Sequence, residues 1–293
     1  MKVAHSVEEL ERRERTVALG TFDGVHLGHR RVIETTLAAG RTPTVITFHP
    51  HPRRVMGYGV ELLTTLERRL ELLADLGVEE TLVVEFSLEL QRVEPEAFAQ
   101  HYLEAIGARV VVAGADFRFG HRRGGDLDLL ARLGFDVRPV PLVEGVSSSE
   151  IRRLLHEGEV ADAAPLLGRP PEVEGVVVEG DARGGTLGFP TANLAVDPEL
   201  LVPRHGIYAG FAPDVDGKAH RAAISIGVNP HYGGEELRVE AFLLGFGGDL
   251  YGQRLVVELW RRLRDERAFA SERDLIDQIA CDVEETERAE RPV

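Results

Sequence analysis

The stretch from Val17 to Glu34, VALGTFDGVHLGHRRVIE, carries a short apolar run, Val17 to Leu19, through a Gly- and His-bearing turn straight into a helical pattern. From Arg30 onward, Val32, Ile33 and Leu37 recur at helical spacing. A strand that turns directly into a helix aims free backbone N–H groups and the positive end of the helix dipole at whatever sits there. An anion such as a nucleotide phosphate is the natural occupant. Gly24 and Gly28 let backbone approach that anion, and His26 and His29, spaced His-x-Gly-His, can place two imidazoles on one phosphate. In a transfer reaction they would neutralise charge that develops on phosphorus and on the departing pyrophosphate. Alone, HxGH is equally well explained as a surface turn; GTFDGV directly upstream, at the end of a strand, weighs toward function.

Outward from this unit the first half alternates strand and helix, the pattern of a parallel, doubly wound sheet. TPTVITFHPHP is an apolar strand ending at Phe48 in the cluster His49, Pro50, His51, Pro52. Thr64 with Glu67 reads as a capping box, and Leu66, Leu70 and Leu73 as the buried stripe of the helix that follows. Leu82 to Phe86 is the next strand, Glu96 to Ile106 the next helix with Pro95 in its first turn, then Arg109 to Ala113 and Phe135 to Val143 as strands. GADFRFGHRRGGD follows a strand's C-terminal end, where open α/β sheets bind ligands. Its phenylalanines and arginines suit an aromatic ring system and phosphates, or a solvated basic loop. In VSSSEIRRLL, Ser147 caps a helix with Glu150 three residues on, and Arg152 lies one turn in; such an end can hold a triphosphate. His26, His29, His49, His51 and His121 could converge on a transition metal, but their spacing fits no histidine-based zinc signature, and a phosphate site explains them more simply.

After Leu167 the composition changes. LGRPPEVEG has the Gly and paired Pro of a linker, and EVEGVVVEG, GIYAGFAP, HRAAISIGV, LRVEAFLLGF and QRLVVELWRRLR are short strands parted by turns, which predicts an antiparallel barrel. A long helix closes the chain, capped by Ser271 and striped by Leu275, Ile279 and Val283, with Cys281 off the stripe. The expected domains are 1–167, α/β with a doubly wound parallel sheet, and 168–293, an antiparallel β-barrel with a terminal helix. In the barrel, GGTLGFPTANL joins a Gly-rich turn to Thr191 and Asn193, neutral oxygen donors one residue apart. Magnesium takes oxygen ligands and shares substrate phosphates, so the pair fits a MgATP site, although PTAN by itself also reads as a strand end.

At 293 residues each domain can bury a core of its own. The chain is 43% hydrophobic and 28% charged, and it has no apolar run near the ~18 residues of a membrane span. Its charged opening, MKVAHSVEELERRERT, lacks the apolar core of a secretory signal, so a cytoplasmic protein without a membrane partner is expected. One cysteine excludes an internal disulfide, and a net charge of −15 argues against nucleic acid, which leaves small molecules as partners.

The motifs VALGTFDGVHLGH, TFHPHP, GADFRF, SSSEIR, LGFPTANL, GIYAG, VEAF and LYG, in this order before a terminal helix, resemble the prokaryotic bifunctional riboflavin kinase/FMN adenylyltransferases, also called FAD synthetases, over almost the whole chain. The resemblance implies a nucleotidyltransferase domain that joins FMN to ATP, giving FAD and pyrophosphate. It also implies a kinase barrel that phosphorylates riboflavin to FMN with MgATP. It places His26, His29 and Arg152 on the ATP phosphates of the first reaction. Gly20, Phe22, Asp23, Gly24, Gly28, Asp116, Phe117, Phe119, Ser147, Ser148 and Ser149 would line its flavin and nucleotide cleft. In the barrel it implies substrate binding by Gly188, Phe189 and Pro190, magnesium on Thr191 and Asn193, and Glu240 as general base toward the ribityl 5′-hydroxyl. The chain departs from the family pattern at Ser149, where threonine is usual, and at His49, where an acidic or variable residue is expected. Further departures are Gly185, often basic in the family, Ser225, where Asn is expected, and His231, where Thr is. The rival readings are a homologue that keeps one activity, and a flavin-binding storage or regulatory protein on the same scaffold. Binding alone needs no base, and His26, His29, Arg152, Thr191, Asn193 and Glu240 are all present.

Overall fold

A computed structural model of the chain describes residues 1–180, 187–213, 217–231 and 234–292, with side chains described outside 229–231 and 234–236. Gly185 and the side chain of His231 therefore lie outside the described residues. The chain divides into two compact units, Met1–Ser148 and Ser149–Val293.

In the first unit, strands β1 (Lys2–Ala4), β2 (Arg15–Leu19), β3 (Thr42–His49), β4 (Glu80–Glu85), β5 (Ala108–Gly114) and β6 (Asp136–Val140) form one sheet in the order β1-β4-β3-β2-β5-β6. Every pairing is parallel. A central parallel strand is covered on both faces, and β2 is buried along its whole length: Val17 and Leu19 join one core, Ala18 the other. Helices α1 (Leu27–Leu37) and α3 (Leu66–Asp75) supply Val32, Ile33, Leu72 and Leu73 to the second core. A short α2 (Pro52–Val55) lies between them in sequence. Helices α4 (Pro95–Phe98), continued by a π-helical turn over Ala99–Glu104, and α5 (Leu127–Arg132) cover the opposite face. From β2 the chain adds β3 and β4 on one side and returns with β5 and β6 on the other, so the strand order reverses between β2 and β5. Ligands of such sheets bind at the carboxyl ends of the strands at that point.

Three expectations change here. The opening residues contain a strand, β1, paired with β4 at the sheet edge. The cap of α3 is Thr65, whose side chain accepts from the Arg68 amide, and not Thr64. The buried residues of α3 are Arg69, Leu72 and Leu73, whereas Leu66 and Leu70 are only half-buried, so the buried face is rotated from the expected stripe and contains a charge.

The second unit takes all but the first residue of α6 (Ser148–Glu157), then α7 (Val160–Leu167), and continues into β7 (Glu172–Val178), β8 (Ala192–Val196), β9 (Gly206–Pro213), β10 (Ala219–His231), β11 (Gly234–Leu243) and β12 (Arg254–Arg264). These strands close an antiparallel barrel in the order β10-β11-β8-β7-β12-β9. A final helix, α8 (Glu272–Arg288), is capped by the Ser271 side chain. The expected linker is built into this unit. Gly168 ends α7 in the left-handed conformation, Pro171 accepts a hydrogen bond from the Leu259 amide at 2.8 Å, and α7 packs on β12. Arg221 donates to the Thr286 carbonyl at 2.9 Å and to that of Ala289, which satisfies free carbonyls at the end of α8.

Candidate functional site

The signature turn after β2 is wound tightly. Phe22 and Val25 both sit at positive φ, 51° and 41°, and both are 1% exposed. Backbone strain of this kind costs on the order of 1–3 kcal/mol per residue and persists where the surroundings over-determine it. Here the surroundings are the loop before α3. Asp23 Oδ1 accepts from the amides of Leu63 at 3.0 Å and Thr64 at 3.2 Å, and Thr64 Oγ1 accepts from the Gly24 amide at 3.2 Å. Thr64, displaced from its expected capping role, thus ties down the signature. Ser148 Oγ adds a bond to the Asp23 carbonyl at 3.2 Å. Gly24 has φ +81°, and a Cβ there would stand 2.7 Å from Leu63 Cδ1. Gly24→Ala is expected to cost about 2 kcal/mol of stability, in the range of over-packed core sites. Thermal unfolding of the variant, compared with wild type, checks this.

This buttressed turn delivers the two histidines. His26 caps α1, its Nδ1 accepting from the His29 amide at 3.3 Å, and the two rings stack with centroids 3.6 Å apart at 14°. The Phe22 ring meets His29 edge-on at 5.3 Å. Burial drives the His29 pKa well below its ordinary 6.5, and the neighbouring His26 and Arg69 lower it further. His29 is therefore a neutral imidazole at physiological pH, a hydrogen-bonding group and not a cation. Gly20 and Gly28 flank the turn, and Phe22 and Asp23 form its buried scaffold.

At the end of β5, Asp116 is exposed and Phe117 half-buried, its ring stacked 5.9 Å from that of Phe119. Phe119 itself is 7% exposed and belongs to the core with Phe98 and Phe48. Of the basic residues in this loop, Arg118 is paired with Asp126 at 2.6 Å, while Arg122 and Arg123 are exposed. His51 caps α2 through the Arg53 amide, and no group of three or more His, Cys, Asp or Glu converges among the described residues. Ser147 is exposed, and Ser149 and Arg152 fall in the second unit, exposed and half-buried on α6.

In the barrel, strand register assembles a second site. Glu240 on β11 lies opposite Asn193 on β8 and opposite Ser225 on β10. Directly opposed residues stand about 4.5–5.5 Å apart at Cβ on one face, and this trio lines a cavity of about 420 Å³ with Phe189 and Thr191. Gly180 makes room for one member: a Cβ there would stand 2.3 Å from Asn193 Nδ2. Phe189 meets Phe242 edge-on at 5.5 Å. Across the cavity, Leu275 and Ile279 of α8 are half-buried and line the wall, so the apolar stripe expected on this helix faces a cavity; its buried residues are Asp282 and Thr286. Asp282 anchors the helix by accepting a fork from Arg264, at 2.9 Å from Nε and 2.6 Å from Nη2. Thr191 also borders a second cavity of about 310 Å³, lined by Pro190, Phe246, Gly247, Gly248 and Tyr251. Gly188, at φ +89°, precedes both on the chain. Neither this shared border nor the role of α8 was legible from the motifs.

The FAD synthetase family matches residues 8–151 and the riboflavin kinase family residues 167–289. The chain is 36% identical to the bifunctional riboflavin kinase/FMN adenylyltransferase of Bacillus subtilis, covering 97% of this chain and 95% of that one. It is 33% identical to that of Escherichia coli K12, covering 95% and 93%. A crystal structure described as a macrolide-efflux protein from Streptococcus pneumoniae superposes with a TM-score of 0.89 at 30% identity, over 98% of this chain and 99% of that one.

Proposed function

Because the chain belongs to the bifunctional riboflavin kinase/FMN adenylyltransferase family, we propose how its two halves divide the two reactions. The enzyme converts riboflavin and ATP to FMN and ADP, then FMN and a second ATP to FAD and pyrophosphate. We assign phosphorylation to residues 168–293 and adenylylation to residues 1–167. The observation that carries the assignment is the row of Asn193, Glu240 and Ser225 across three barrel strands, facing one cavity that Thr191 joins to another.

In the kinase, riboflavin occupies the larger cavity, its ring against Phe189, Phe242 and the α8 residues Leu275 and Ile279. ATP occupies the smaller one, with Gly188 and Pro190 at its border. The two meet at Thr191. The Glu240 carboxylate takes the proton of the 5′-hydroxyl as the oxygen–phosphorus bond forms and the bond to the β,γ-bridging oxygen breaks, leaving ADP. Thr191 and Asn193 offer a hydroxyl and an amide oxygen, donors of the hardness magnesium prefers, and would hold the ion that accompanies ATP. Bound there, magnesium supplies charge neutralisation on the phosphates.

In the adenylyltransferase, the FMN phosphate attacks the α-phosphorus of ATP and pyrophosphate departs. Its nucleophile is already ionised, so no base is required, and catalysis rests on positioning and on stabilising charge. Gly20, Gly24 and Gly28 let backbone approach the phosphates, and His26 and His29 contribute N–H donors. Ser147 and Ser148, at the end of the first unit, hold the triphosphate, and Asp116, Phe117 and Phe119 border the flavin and base. The cytoplasm, which supplies ATP, is the proposed location.

Thin-layer chromatography of riboflavin with MgATP should show FMN, then FAD. FMN alone, or bound but unconverted riboflavin, would favour the single-activity or storage alternatives. A fragment of residues 149–293 is expected to make FMN and no FAD. One beginning at residue 168 should do the same with a lower unfolding temperature, because α7 no longer covers β12. A folded fragment of either length that binds neither riboflavin nor ATP would refute the assignment of the kinase to the barrel.

A further inference from the structure

Arg69 belongs to none of the sequence motifs, yet it is among the largest fully buried side chains of the chain, at 1% exposure. The helical period puts it one turn before Leu72 and Leu73 on the inward face of α3, where an apolar residue is expected. Burying a guanidinium costs several kcal/mol unless its donors and charge are met. They are met only in part. Nη1 donates to the Phe48 carbonyl at 3.3 Å and reaches Thr47 Oγ1 at 3.5 Å, both at the end of β3, and Nε has no hydrogen-bond partner among the described residues. The attraction of Asp23 acts on it, but Asp23 Oδ1 is engaged by the Leu63 and Thr64 amides. Burial lowers the Arg69 pKa, but an arginine starts so high that it stays protonated.

Beside this cation lies His29, whose Nδ1 is also buried without a hydrogen-bond partner among the described residues. The charged and titratable groups acting on His29 are His26 on its own turn and Arg69 on α3, with Asp23 acting on Arg69. Rings 3.6 Å apart cannot both carry charge cheaply, and His29 is the one held neutral, so the imidazole pair brings at most one positive charge to a phosphate site that must meet several negative ones. We propose that Arg69 is a positioning residue for adenylyl transfer, a permanent buried cation hung on the end of β3 that sets the field at the His26/His29 phosphate site. It acts through His29 and through the phosphate charge.

The inference rests on the first unit being the adenylyltransferase, and the experiment separates the two. FAD formation from supplied FMN and ATP is followed against pH for the full-length wild type, Arg69→Gln and Arg69→Lys, with riboflavin phosphorylation on the same preparations as a control for folding. A wild type that makes no FAD sinks the underlying reading before any variant is compared. Gln keeps a donor for Phe48 and removes the charge. It should lower kcat/KM for FAD formation by roughly 10²-fold, the scale of losing one preorganised electrostatic group, and move the acid limb of the profile to higher pH, because His29 then protonates more readily. Lys keeps the charge and should leave the acid limb in place with most of the activity. A Gln variant with wild-type kcat/KM and an unmoved limb overturns the proposal, as does a Lys variant that loses as much as Gln. If the Gln variant does not fold, the Lys variant decides by the same criterion.

Discussion

Glu240→Gln should lower kcat for riboflavin phosphorylation by roughly 10²- to 10⁴-fold, the usual contribution of general base catalysis. A primary hydroxyl is a poor nucleophile near neutral pH, and Glu240 is the carboxylate held between Asn193 and Ser225 on the cavity face of the barrel. Glutamine keeps the shape and the hydrogen bonding and removes the basicity. Riboflavin affinity should change little, because the proton moves only on the way to the transition state. Adenylylation of supplied FMN should be untouched, since it needs no base and belongs to the other unit. Steady-state kinetics of both half-reactions on one purified variant provide the comparison. Phosphorylation at near wild-type kcat would remove Glu240 from the mechanism.

His29→Ala is expected to reduce FAD formation by roughly 10²-fold or more, the scale of one preorganised donor, while FMN formation stays near wild type. Equal loss of both activities would point to misfolding instead. The His29 variant also carries a pH signature. The folded-state pKa lies well below 6.5, depressed by burial first and then by His26 and Arg69, so the unfolded chain takes up a proton that the folded chain refuses. The stability this group contributes is full above about 6.5 and is lost as pH falls toward the folded value. Unfolding temperature should therefore fall on acidification below that point, and fall less steeply in His29→Ala. Parallel slopes for the two proteins would mean that His29 is not held neutral in the fold.

Where one residue type and one spacing specify one conformation, the chain was legible. GIYAGFAP is β9 from end to end, and the apolar run before GTFDGV is the central strand with α1 directly after the turn. Periodicity reports that a face is apolar, not what it meets: Leu275 and Ile279 repeat at helical spacing whether they face a core or, as here, a cavity. It fails in the other direction at Arg69, because a charge on a helix is normally solvated and only tertiary packing can bury it. The choice between Thr64 and Thr65 as cap turned on which hydroxyl the signature turn required. The stacking of His26 on His29 depends on side-chain torsions that no spacing encodes.

The opposition of Asn193, Glu240 and Ser225 gives the barrel a parity. Successive side chains of a strand point to opposite faces, so each position of β11 lies on the cavity face with Glu240 or on the opposite, buried face according to whether its distance from Glu240 is even or odd. Slipping β11 by one residue against its neighbours would carry Glu240 to the opposite face, where Val239 and Ala241 are now buried, and bring one of those apolar residues to the cavity in its place. A slip of two would restore the facing but oppose Glu240 to different partners. Insertions within the paired strands are thus graded by whether their length is odd or even as much as by their chemistry, while those in the connecting loops escape the rule.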